Sequence, residues 1–386
     1  MSVAALSIGA GCTSSVGGDA GESESDGADA GTGDGGEPEH AGTDVPTDDW
    51  PSFQRTPGNS GYILSSAPTA DPDERWSTTL SGALEAQVAV VEGTVYASTA
   101  DGTVHALEAA SGDELWAESL AGSCSHCPCV ADGFVVVGTD AGELVALSAA
   151  DGDREWEIDL AGPAAGPTAA HGVVYVGTSG VPVASAVDVT DGTERWTTEL
   201  ASPAVDYPAV DGDSVYVGVE EGLDGGLHAF DPADGDERWL HEGDRMRSPT
   251  IAGGAVVAPS LTISVLTHAG RPRAGFGFAG HIRSSPAVTS DAIVVGSTGG
   301  QVAAAKRGDV GVYWSVEVGQ RPISAPAITD ESVYLTAGGP ELVALDTGTG
   351  ELRWTRSLAG ELATGPAVAD GAVFVGTDEG RLVAFE

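Results

Sequence analysis

The sequence predicts an all-β fold, an eight-bladed β-propeller built from four-stranded antiparallel blades. The first observation is a tryptophan that recurs at intervals of 40, 40, 40, 43, 75 and 40 residues. The second is a series of short β-branched segments separated by glycine-containing turns, and the third is an incomplete repeat at each end of the repeat region. A fixed period near 40 residues is typical of propellers and of helical solenoids, and the local pattern separates the two.

Within one repeat the pattern is that of four strands. In residues 366–385, β-branched runs alternate with Asp370-Gly371 and Glu379-Gly380, which are hairpin-turn signals. Equivalent pairs recur at Asp132-Gly133, Asp211-Gly212, Asp101-Gly102, Ala141-Gly142, Ser111-Gly112, Asp151-Gly152, Asp191-Gly192 and Asp234-Gly235. Helical periodicity is nearly absent, because glycine and β-branched residues fill the pattern. Four short strands in about 40 residues predict a propeller blade.

The ends of the repeat region predict how the ring closes. Seven tryptophans and Ala274, which takes the eighth position when Gly280–Val288 is aligned with Gly360–Val368, give eight blades. The last repeat, 361–386, has three strands, whereas the first tryptophan strand, 74–80, has no blade before it. We therefore expect the N-terminal strand to pair with the three C-terminal strands, which removes exposed sheet edges.

The chain before the propeller divides into three parts. Residues 1–12 end in Ala10-Gly11-Cys12, which resembles the lipobox of a secreted lipoprotein, so Cys12 is the candidate lipid-attachment site. No basic region precedes Val3, so either the true start lies upstream or Cys12 belongs to a ragged terminus. Residues 13–49 hold 11 acidic and no basic residues, which predicts a disordered tether. Residues 50–73 form a pre-propeller segment, and residues 74–386 form the propeller.

The charge of the chain is strongly one-sided. Its 58 acidic and 16 basic residues give a net charge of −42, and Lys306 is the single lysine. This excess disfavours phosphate backbones and anionic lipid surfaces, so we expect no nucleic-acid partner and no membrane contact except through a lipid anchor. No apolar run reaches the length of a membrane-spanning helix. Acids along the whole chain with almost no lysine are typical of a halophilic archaeon, where molar salt screens self-repulsion.

The segments that lead into the tryptophans carry a family resemblance. Ala106–Trp116 and Ala344–Trp354 resemble the Ala-x-Asp-x-x-Thr-Gly-x-x-x-Trp docking repeat of quinoprotein (PQQ-like) propellers, and residues 49–62 resemble the short segment before the propeller in that family. The resemblance covers about residues 49–386. It implies that the following residues dock neighbouring blades: Trp76, Trp116, Trp156, Trp196, Trp239, Trp314 and Trp354. The family includes dehydrogenases that use pyrroloquinoline quinone (PQQ) and cofactor-free propellers such as the bacterial outer-membrane assembly lipoprotein, so the resemblance is specific for fold rather than function.

The same resemblance provides a test of the enzyme hypothesis. It implies that a dehydrogenase would hold Ca²⁺ with a Glu, an Asn and an Asp beside the quinone, and would cap the quinone with two adjacent cysteines. This chain has one asparagine, Asn59, which precedes the propeller, and no adjacent cysteines. The sequence also lacks a Gly-rich phosphate loop, a Gly-x-Ser-x-Gly elbow and a His-Glu-x-x-His motif. We therefore expect no catalytic residues and no cofactor, with PQQ and Ca²⁺ as the alternative.

One loop of blade two departs from the repeat. It contains Cys124, His126, Cys127 and Cys129 where blade three reads Pro163–Thr168. Three thiols and an imidazole are ligands for a soft metal such as Zn²⁺ or Cu(I), so these four residues are a candidate metal site. A Cys-x-x-Cys disulfide with one thiol left over is an alternative, and an inert, buried Cys129 is another. The loop enters the innermost strand near the mouth of the central channel.

The basic residues are also unevenly placed. Half of them fall within 77 positions: Arg245, Arg247, Arg271, Arg273, Arg283, Lys306, Arg307 and Arg321. Three occupy the same inter-blade loop in blades five, six and seven, and other polar residues come from corresponding loops, so the candidate anion or ligand site at the channel mouth comprises Arg247, Arg283, Arg321, His281, Asp206 and Tyr207. The alternative is that each arginine pairs with a nearby acid.

These observations leave three classes of function. The leading prediction is a non-catalytic, monomeric propeller at the extracellular face of the cell membrane, lipid-anchored or secreted, that binds a protein partner on the cell envelope or scaffolds an envelope complex. The second is a PQQ- and Ca²⁺-dependent dehydrogenase. The third is a metal or redox role for the loop Cys124–Cys129.

Overall fold

The structure is a computed structural model that describes residues 48–386 except 205, 220–224, 244–245, 278–280, 283, 308–310 and 320–323. The predicted lipobox with Cys12, and the predicted tether up to residue 47, lie outside the described residues. The chain divides into two compact units, Met1–Gly36 and Glu37–Glu386, and every described residue belongs to the second. Within the described ranges, no helix is long and apolar enough to cross a bilayer.

The described residues form 32 strands in eight four-stranded antiparallel sheets, one sheet per blade. In each blade the strands are given from inner to outer. Blade one is β2 (Ala89–Val91), β3 (Thr94–Ser98), β4 (Thr103–Glu108) and β5 (Glu114–Ser119), and blade two is β6 (Cys129–Ala131), β7 (Phe134–Gly138), β8 (Glu143–Ser148) and β9 (Arg154–Asp159). Blade three is β10 (Thr168–Ala170), β11 (Val173–Gly177), β12 (Val183–Asp188) and β13 (Glu194–Glu199), and blade four is β14 (Ala209–Val210), β15 (Val215–Gly218), β16 (Gly226–Phe230) and β17 (Glu237–Glu242). Blade five is β18 (Thr250–Ala252), β19 (Ala255–Pro259), β20 (Ile263–Leu266) and β21 (Pro272–Phe276), and blade six is β22 (Ala287–Val288), β23 (Ala292–Gly296), β24 (Gln301–Lys306) and β25 (Val312–Glu317). Blade seven is β26 (Ala327–Ile328), β27 (Ser332–Thr336), β28 (Glu341–Asp346) and β29 (Leu352–Ser357). Blade eight is β30 (Ala367–Ala369), β31 (Ala372–Gly376), β32 (Arg381–Phe385) and β1 (Glu74–Thr79).

The ring closes through the last of these sheets. Strand β1 pairs antiparallel with β32, with Trp76 opposite Ala384 and Thr79 opposite Arg381. The N-terminal strand therefore becomes the outer strand of the blade whose other three strands are C-terminal. This confirms the predicted fold class, the number of blades and the mode of closure.

Burial along each blade explains the sequence pattern. The second and third strands lie between neighbouring blades, so both of their faces are covered, and β11 (Val173–Gly177) is buried at every position. The outer strands cover one face only, and β9 (Arg154–Asp159) therefore alternates between exposed and half-buried residues. Continuous apolar runs and alternating runs are the patterns expected for strands buried on two faces and on one face.

The first hairpin turn of several blades has the predicted Asp-Gly chemistry. Asp132 and Gly133 have φ angles of 51° and 84°, and Asp370 and Gly371 have φ angles of 49° and 73°. Two consecutive residues with positive φ make a two-residue turn whose twist matches that of the flanking strands. The sequence pair Asp-Gly is favoured because aspartate tolerates the left-handed region and glycine adopts it freely.

The repeat tryptophans join each blade to the next. Each indole Nε1–H donates to a backbone carbonyl at 2.8–3.1 Å: Trp76 to Ala109, Trp116 to Ala149, Trp156 to Val189, Trp196 to Pro232, Trp239 to His268, Trp314 to Thr347 and Trp354 to Pro68. In the receiving turn, a Cβ on Gly350 (φ 72°) would lie 2.5 Å from the Trp314 ring. Glycine is therefore required there for backbone conformation and for contact. Pro68 shows that the segment before β1 supplies the receiving turn of blade eight.

Blade five is the repeat without a tryptophan. Val265 lies opposite Ala274 in the same register in which Ala344 lies opposite Trp354. This confirms the alignment that assigned Ala274 to the tryptophan position. The following blade carries Val310 at the position of Gly350, so the indole and the glycine that would receive it are absent together.

Candidate functional site

Residues 50–63, called the plug below, run inside the ring of inner strands. The second residue of the inner strand donates its N–H to a plug carbonyl in six blades, at 2.7–2.8 Å: Val90 to Trp50, Val130 to Pro51, Val210 to Pro57, Ile251 to Gly58, Val288 to Ser60 and Ile328 to Gly61. An inner strand presents a free edge to the channel axis, and its unpaired N–H groups would be costly if buried. The plug satisfies them and closes the channel with the chain's own backbone.

Two buried side chains hold the plug in shape. The amide of Asn59 donates to the carbonyls of Pro208 at 3.1 Å and Pro249 at 3.0 Å, in the loops that enter blades four and five. The guanidinium of Arg55 donates to the carbonyls of Asp49 at 3.0 Å and Tyr62 at 3.2 Å, and burial lowers its pKa to about 10. Both residues have left-handed backbone angles, 54° and 69° in φ. Such angles cost about 1–3 kcal/mol each and persist where the surroundings fix them.

The plug bypasses blade three. Between Pro51 on blade two and Pro57 on blade four, no backbone hydrogen bond of the described residues joins the plug to β10. A cavity of about 840 Å³ opens there, lined by both prolines and by inner-strand residues of blades two and three such as Val130 and Ala169. Ala169 occupies the position whose N–H bonds to the plug in other blades, and its backbone lies near the thiol of Cys129 instead.

A second cavity lies at the opposite end of the channel, where the chain enters each inner strand. It has a volume of about 240 Å³, and Phe53 of the plug contributes to its lining. Five of its lining residues come from the loops that the sequence singled out or flank them: Ser125, His126, Asp206, Tyr207 and Arg247. The structure therefore brings Arg247, Asp206 and Tyr207 together at the channel mouth. Arg283 and Arg321 lie outside the described residues, and His281 is exposed and outside the cavity lining.

Tyr207 is the centre of this channel mouth. Its ring stacks on Phe53 with centroids 4.0 Å apart and planes 6° apart, and His126 meets it edge-on at 5.5 Å. Its hydroxyl accepts the N–H of Cys127 at 2.6 Å, and its own N–H donates to the Ser248 hydroxyl at 3.1 Å. Burial raises the pKa of Tyr207 well above its usual value, so the phenol stays protonated. These contacts give Tyr207 a packing role between the plug and two loops.

Arg247 is held by an acid. Its guanidinium lies 3.1 Å from an Asp206 carboxylate oxygen, and both side chains are about 30% exposed, at 27% and 31%. This is the ion-paired arrangement that the sequence left open as an alternative to an anion site. Among the described residues, the cavity at the channel mouth therefore has one arginine in its lining, and Asp206 neutralises the charge of that arginine.

The cysteine loop of blade two is buried and reduced. Cys124, Cys127 and Cys129 are free thiols, so the predicted Cys-x-x-Cys disulfide is not formed. Burial raises the pKa values of Cys124 and Cys129 to about 12, and that of Cys127 well above its usual 9.0. Burial also lowers the pKa of His126. A protonated thiol is a poor metal ligand and a poor nucleophile.

The candidate metal site is not assembled by this geometry. Among the described residues, no group of three or more His, Cys, Asp or Glu side chains is arranged to hold a metal ion. The thiol of Cys127 donates back to the carbonyl of Pro128 at 3.3 Å, and the loop carbonyl of His126 accepts the Ser98 hydroxyl at 2.6 Å. Local hydrogen bonds and apolar packing therefore account for the loop.

The residues present do not fit PQQ with Ca²⁺. Asn59, the only asparagine, lies in the plug rather than on a blade, and its amide nitrogen donates to two proline carbonyls there. Its Oδ1 is buried without a hydrogen-bond partner among the described residues. The cavity at the channel mouth, at about 240 Å³, is smaller than the roughly 300–1,000 Å³ typical of cofactor pockets. The cavity beside blade three, at about 840 Å³, falls within that range, but its lining has no asparagine, and its acidic residues Asp49, Glu92 and Asp132 would repel the carboxylates of PQQ. No two cysteines are adjacent in the sequence. We derive no redox chemistry for this site.

Sequence reasoning did not predict the plug. Residues 49–62 stood out as a non-repeating segment before the propeller, but nothing in their composition indicates that they enter the ring. The available signal was geometric: eight inner edges need partners, and this is the segment next to them in the chain.

Several solved structures are similar to this one. BamB from Moraxella catarrhalis matches with a TM-score of 0.70 and 20% identity, over 82% of this chain and 100% of that one. The computationally designed protein Ika8 matches with a TM-score of 0.72 and 19% identity, over 81% and 99% of the two chains. Quinohemoprotein alcohol dehydrogenase from Comamonas testosteroni matches with a TM-score of 0.73 and 16% identity, over 88% and 81%. At these identities the similarity shows a shared fold.

The sequence itself matches a known family. No curated protein shows significant sequence similarity to this chain. The profile of the family described as outer membrane protein assembly factor BamB matches three overlapping stretches, residues 61–166, 156–275 and 263–386. These stretches cover the whole propeller and most of the segment before it. The chain therefore belongs to the BamB family of PQQ-type repeat propellers.

Proposed function

We propose that this protein is a non-catalytic propeller of the cell envelope that binds a protein partner or scaffolds an envelope complex. The observation that carries this proposal is the plug, because its backbone occupies the inner edges of six blades. The channel axis, where a ring of eight blades could enclose a ligand, is used for structure. Binding is then left to the outer surfaces of a rigid ring.

Two further observations support a binding role. The described residues contain no cluster of His, Cys, Asp and Glu suited to a metal. Within each blade, most connections among the described residues are short turns, which leaves broad faces on the ring. Rigid scaffolds with broad faces suit recognition of another macromolecule, and such sites cost little reorganisation on binding.

The location of the protein is part of the proposal. We infer that Cys12 carries a lipid and that the acidic segment 13–49 separates the propeller from the outer face of the membrane. A Cys12→Ser variant expressed in a secreting host is expected to move from the membrane fraction to the medium. A variant that stays in the membrane fraction would contradict a lipid anchor at this position.

The experiment that tests the scaffold role has two arms. Full-length protein purified in molar salt is analysed by native mass spectrometry, alone and after addition of PQQ and Ca²⁺, and is assayed for alcohol-dependent dye reduction. We expect a mass that corresponds to the polypeptide and no dye reduction. Retention of stoichiometric quinone with dye reduction would overturn the proposal in favour of the dehydrogenase.

The second arm maps partners in intact cells. Tagged protein is cross-linked in cells, purified under denaturing conditions, and its cross-linked residues are identified by mass spectrometry. A scaffold is expected to yield reproducible cross-links from one face of the propeller to the same envelope protein. Cross-links scattered over the whole surface, with no recurring partner, would contradict a scaffold role.

A further inference from the structure

Eight of the twelve described cations on the blades are neutralised within the molecule. Ion pairs of 2.7–3.1 Å engage Arg75, Arg154, Arg195, Arg238, Arg247, Arg353, Arg356 and Arg381. Within the described residues, four other cations have no ion pair, namely Arg271, Arg273, Lys306 and Arg307, and all four belong to blades five and six. In a chain of net charge −42, it needs an explanation that the unpaired cations of the described blades all fall in two neighbouring blades.

The repeat shows what these blades have lost. In three regular blades an aspartate at the end of the third strand pairs with the arginine just before the outer-strand tryptophan or its equivalent. The distance is 2.7 Å in each: Asp188 to Arg195, Asp231 to Arg238 and Asp346 to Arg353. Hydrogen bonds from the Thr190 hydroxyl, from Arg195 and from the Thr190 N–H lower the pKa of Asp188 to about 2, so this pair is charged over a wide pH range.

Blade five keeps only the arginine of that pair, and blade six keeps neither residue. The strand registers place Thr267 at the aspartate position of blade five, which leaves Arg273 without its acid. In blade six the aspartate position is Lys306, and the arginine position is Tyr313. The first replacement removes a negative charge, and the second adds a positive one. The result is a local reversal of sign on the outer wall.

Strand direction places the four cations at one end of the two blades. Arg271 lies in the turn between β20 and β21, and Lys306 and Arg307 lie at the end of β24, which is the equivalent end of blade six. The guanidinium of Arg307 lies over the β18–β19 turn of blade five. A Cβ added to Gly253 in that turn would be 2.1 Å from the nearest guanidinium nitrogen. Arg271, Arg273 and Lys306 are exposed.

Apolar surface accompanies these charges. Val312 and Tyr313 begin the outer strand of blade six and are 46% and 42% exposed. Burial and the charge of Asp291 raise the pKa of Tyr313, and Asp291 forms no ion pair with the cations. We call the four cations with Val312 and Tyr313 the blade 5–6 patch.

Charge and extent together indicate what fits this patch. Four cations beside an aromatic and an aliphatic side chain complement a short acidic segment that also carries apolar residues. A membrane surface or a nucleic acid would extend beyond two blades onto the acidic remainder of the protein, where its charges would be repelled. A narrow protein segment avoids that repulsion.

We propose that the blade 5–6 patch is the docking surface for an acidic, apolar-containing segment of a partner protein. This inference rests on the proposed scaffold function and specifies the surface and the chemistry of the partner. The missing tryptophan and the missing Asp–Arg pairs are then features of an interface rather than decay of the repeat.

The test uses a fluorescein-labelled peptide in which glutamates surround a leucine and a tyrosine, titrated with the full-length protein in a fluorescence anisotropy assay. A peptide with glutamines in place of the glutamates is the ligand control. The test variant is Arg273→Glu with Lys306→Glu. Its matched control is Arg195→Glu with Arg353→Glu, which changes the net charge equally but at paired positions.

We expect saturable binding that weakens by about tenfold or more in the test variant and by less than about twofold in the control. Equal weakening in both variants would show that overall charge governs binding and would overturn the inference. No saturable binding by the wild type, or preferential binding to phosphatidylglycerol vesicles, would overturn it too. An Arg273→Gln, Lys306→Gln variant, which removes charge without adding repulsion, is expected to weaken binding by an intermediate factor, and its tryptophan fluorescence shows whether the fold is kept.

The outcome separates this inference from the scaffold role. If the cross-linking experiment finds a recurrent partner on another face and the peptide does not bind, only the blade 5–6 patch is wrong. If no recurrent partner is found in cells, the proposed function itself fails, whatever the peptide does.

Discussion

The loop Cys124–Cys129 of blade two and the blade 5–6 patch both depart from a repeat that is otherwise closely kept. The cysteine loop turns its reactive groups inward, where all three thiols are buried and Cys127 contacts Tyr207 through its backbone. The blade 5–6 patch exposes Arg271, Arg273 and Lys306 and leaves its four cations without ion pairs among the described residues. One departure is absorbed by packing, and the other is left available to a second molecule.

The difference shows that residue type alone does not reveal what an irregular loop or patch of a repeat protein does. Reactive residue types suggest chemistry, yet burial in an apolar loop keeps a thiol protonated and inert. Ordinary residue types such as arginine and lysine suggest little, yet the loss of an ion pair that blades three, four and seven keep leaves Arg273 without an ion pair. Missing partners are therefore more informative than unusual residues.

The largest expected effect concerns the thiols. Raising the pKa of Cys124 and Cys129 from 9.0 to about 12 lowers the thiolate fraction by about a thousandfold near neutral pH. Native Cys12→Ser protein is expected to react very slowly with a chromogenic disulfide reagent, and to release three equivalents after unfolding. Rapid reaction of a native thiol, or fewer than three thiols after unfolding without reductant, would show that the loop is reactive or oxidised.

The next effect tests Tyr207 as the residue that packs the cysteine loop. Tyr207→Ala removes a buried ring and is expected to lower the free energy of unfolding by about 3–5 kcal/mol. Tyr207→Phe keeps the ring, leaves the Cys127 N–H without its acceptor, and is expected to cost about 1–3 kcal/mol. Denaturant unfolding at constant salt measures both. Equal losses for the two variants would mean that the hydrogen bond, rather than stacking on Phe53, dominates.

A third prediction compares a glycine at a blade junction with a glycine in a hairpin turn. Gly350→Ala introduces a Cβ 2.5 Å from the Trp314 ring and is expected to cost about 3 kcal/mol of unfolding free energy. Gly93→Ala is the matched control, because its φ of 75° is nearly the same as the 72° of Gly350 but its Cβ would meet no atom within 4 Å. It is expected to cost about 1 kcal/mol, from backbone strain alone. Similar losses would mean that the tryptophan contact is not what requires glycine.

The smallest effect restores a missing ion pair. Thr267→Asp gives Arg273 the partner that Arg353 has in blade seven, and is expected to raise stability by no more than about 1 kcal/mol in low salt. The same change is expected to weaken binding of the acidic peptide, because it neutralises one cation of the blade 5–6 patch. Unchanged peptide affinity would remove Arg273 from the docking surface.

Part of the site was predictable from sequence. Arg247, Asp206 and Tyr207 meet at the channel mouth because each occupies the same loop of a repeated unit, and equivalent loops converge in a closed ring. The roles of these residues could not be predicted from the sequence. Arg247 is paired with Asp206, and Tyr207 is a packing residue. Both outcomes depend on side chains that are distant in the chain: Asp206 and Arg247 are 41 residues apart, and Tyr207 packs on Phe53 of the plug.

The sequence by itself determined the propeller, its eight blades and its closure by the two termini. Those features follow from a local pattern of strands and turns that is repeated, so each repeat confirms the others. The tertiary structure alone decided that residues 50–63 plug the ring, that the cysteines are buried thiols, and which cations lack a partner. These properties depend on contacts between residues distant in the chain, and no period in the sequence encodes them.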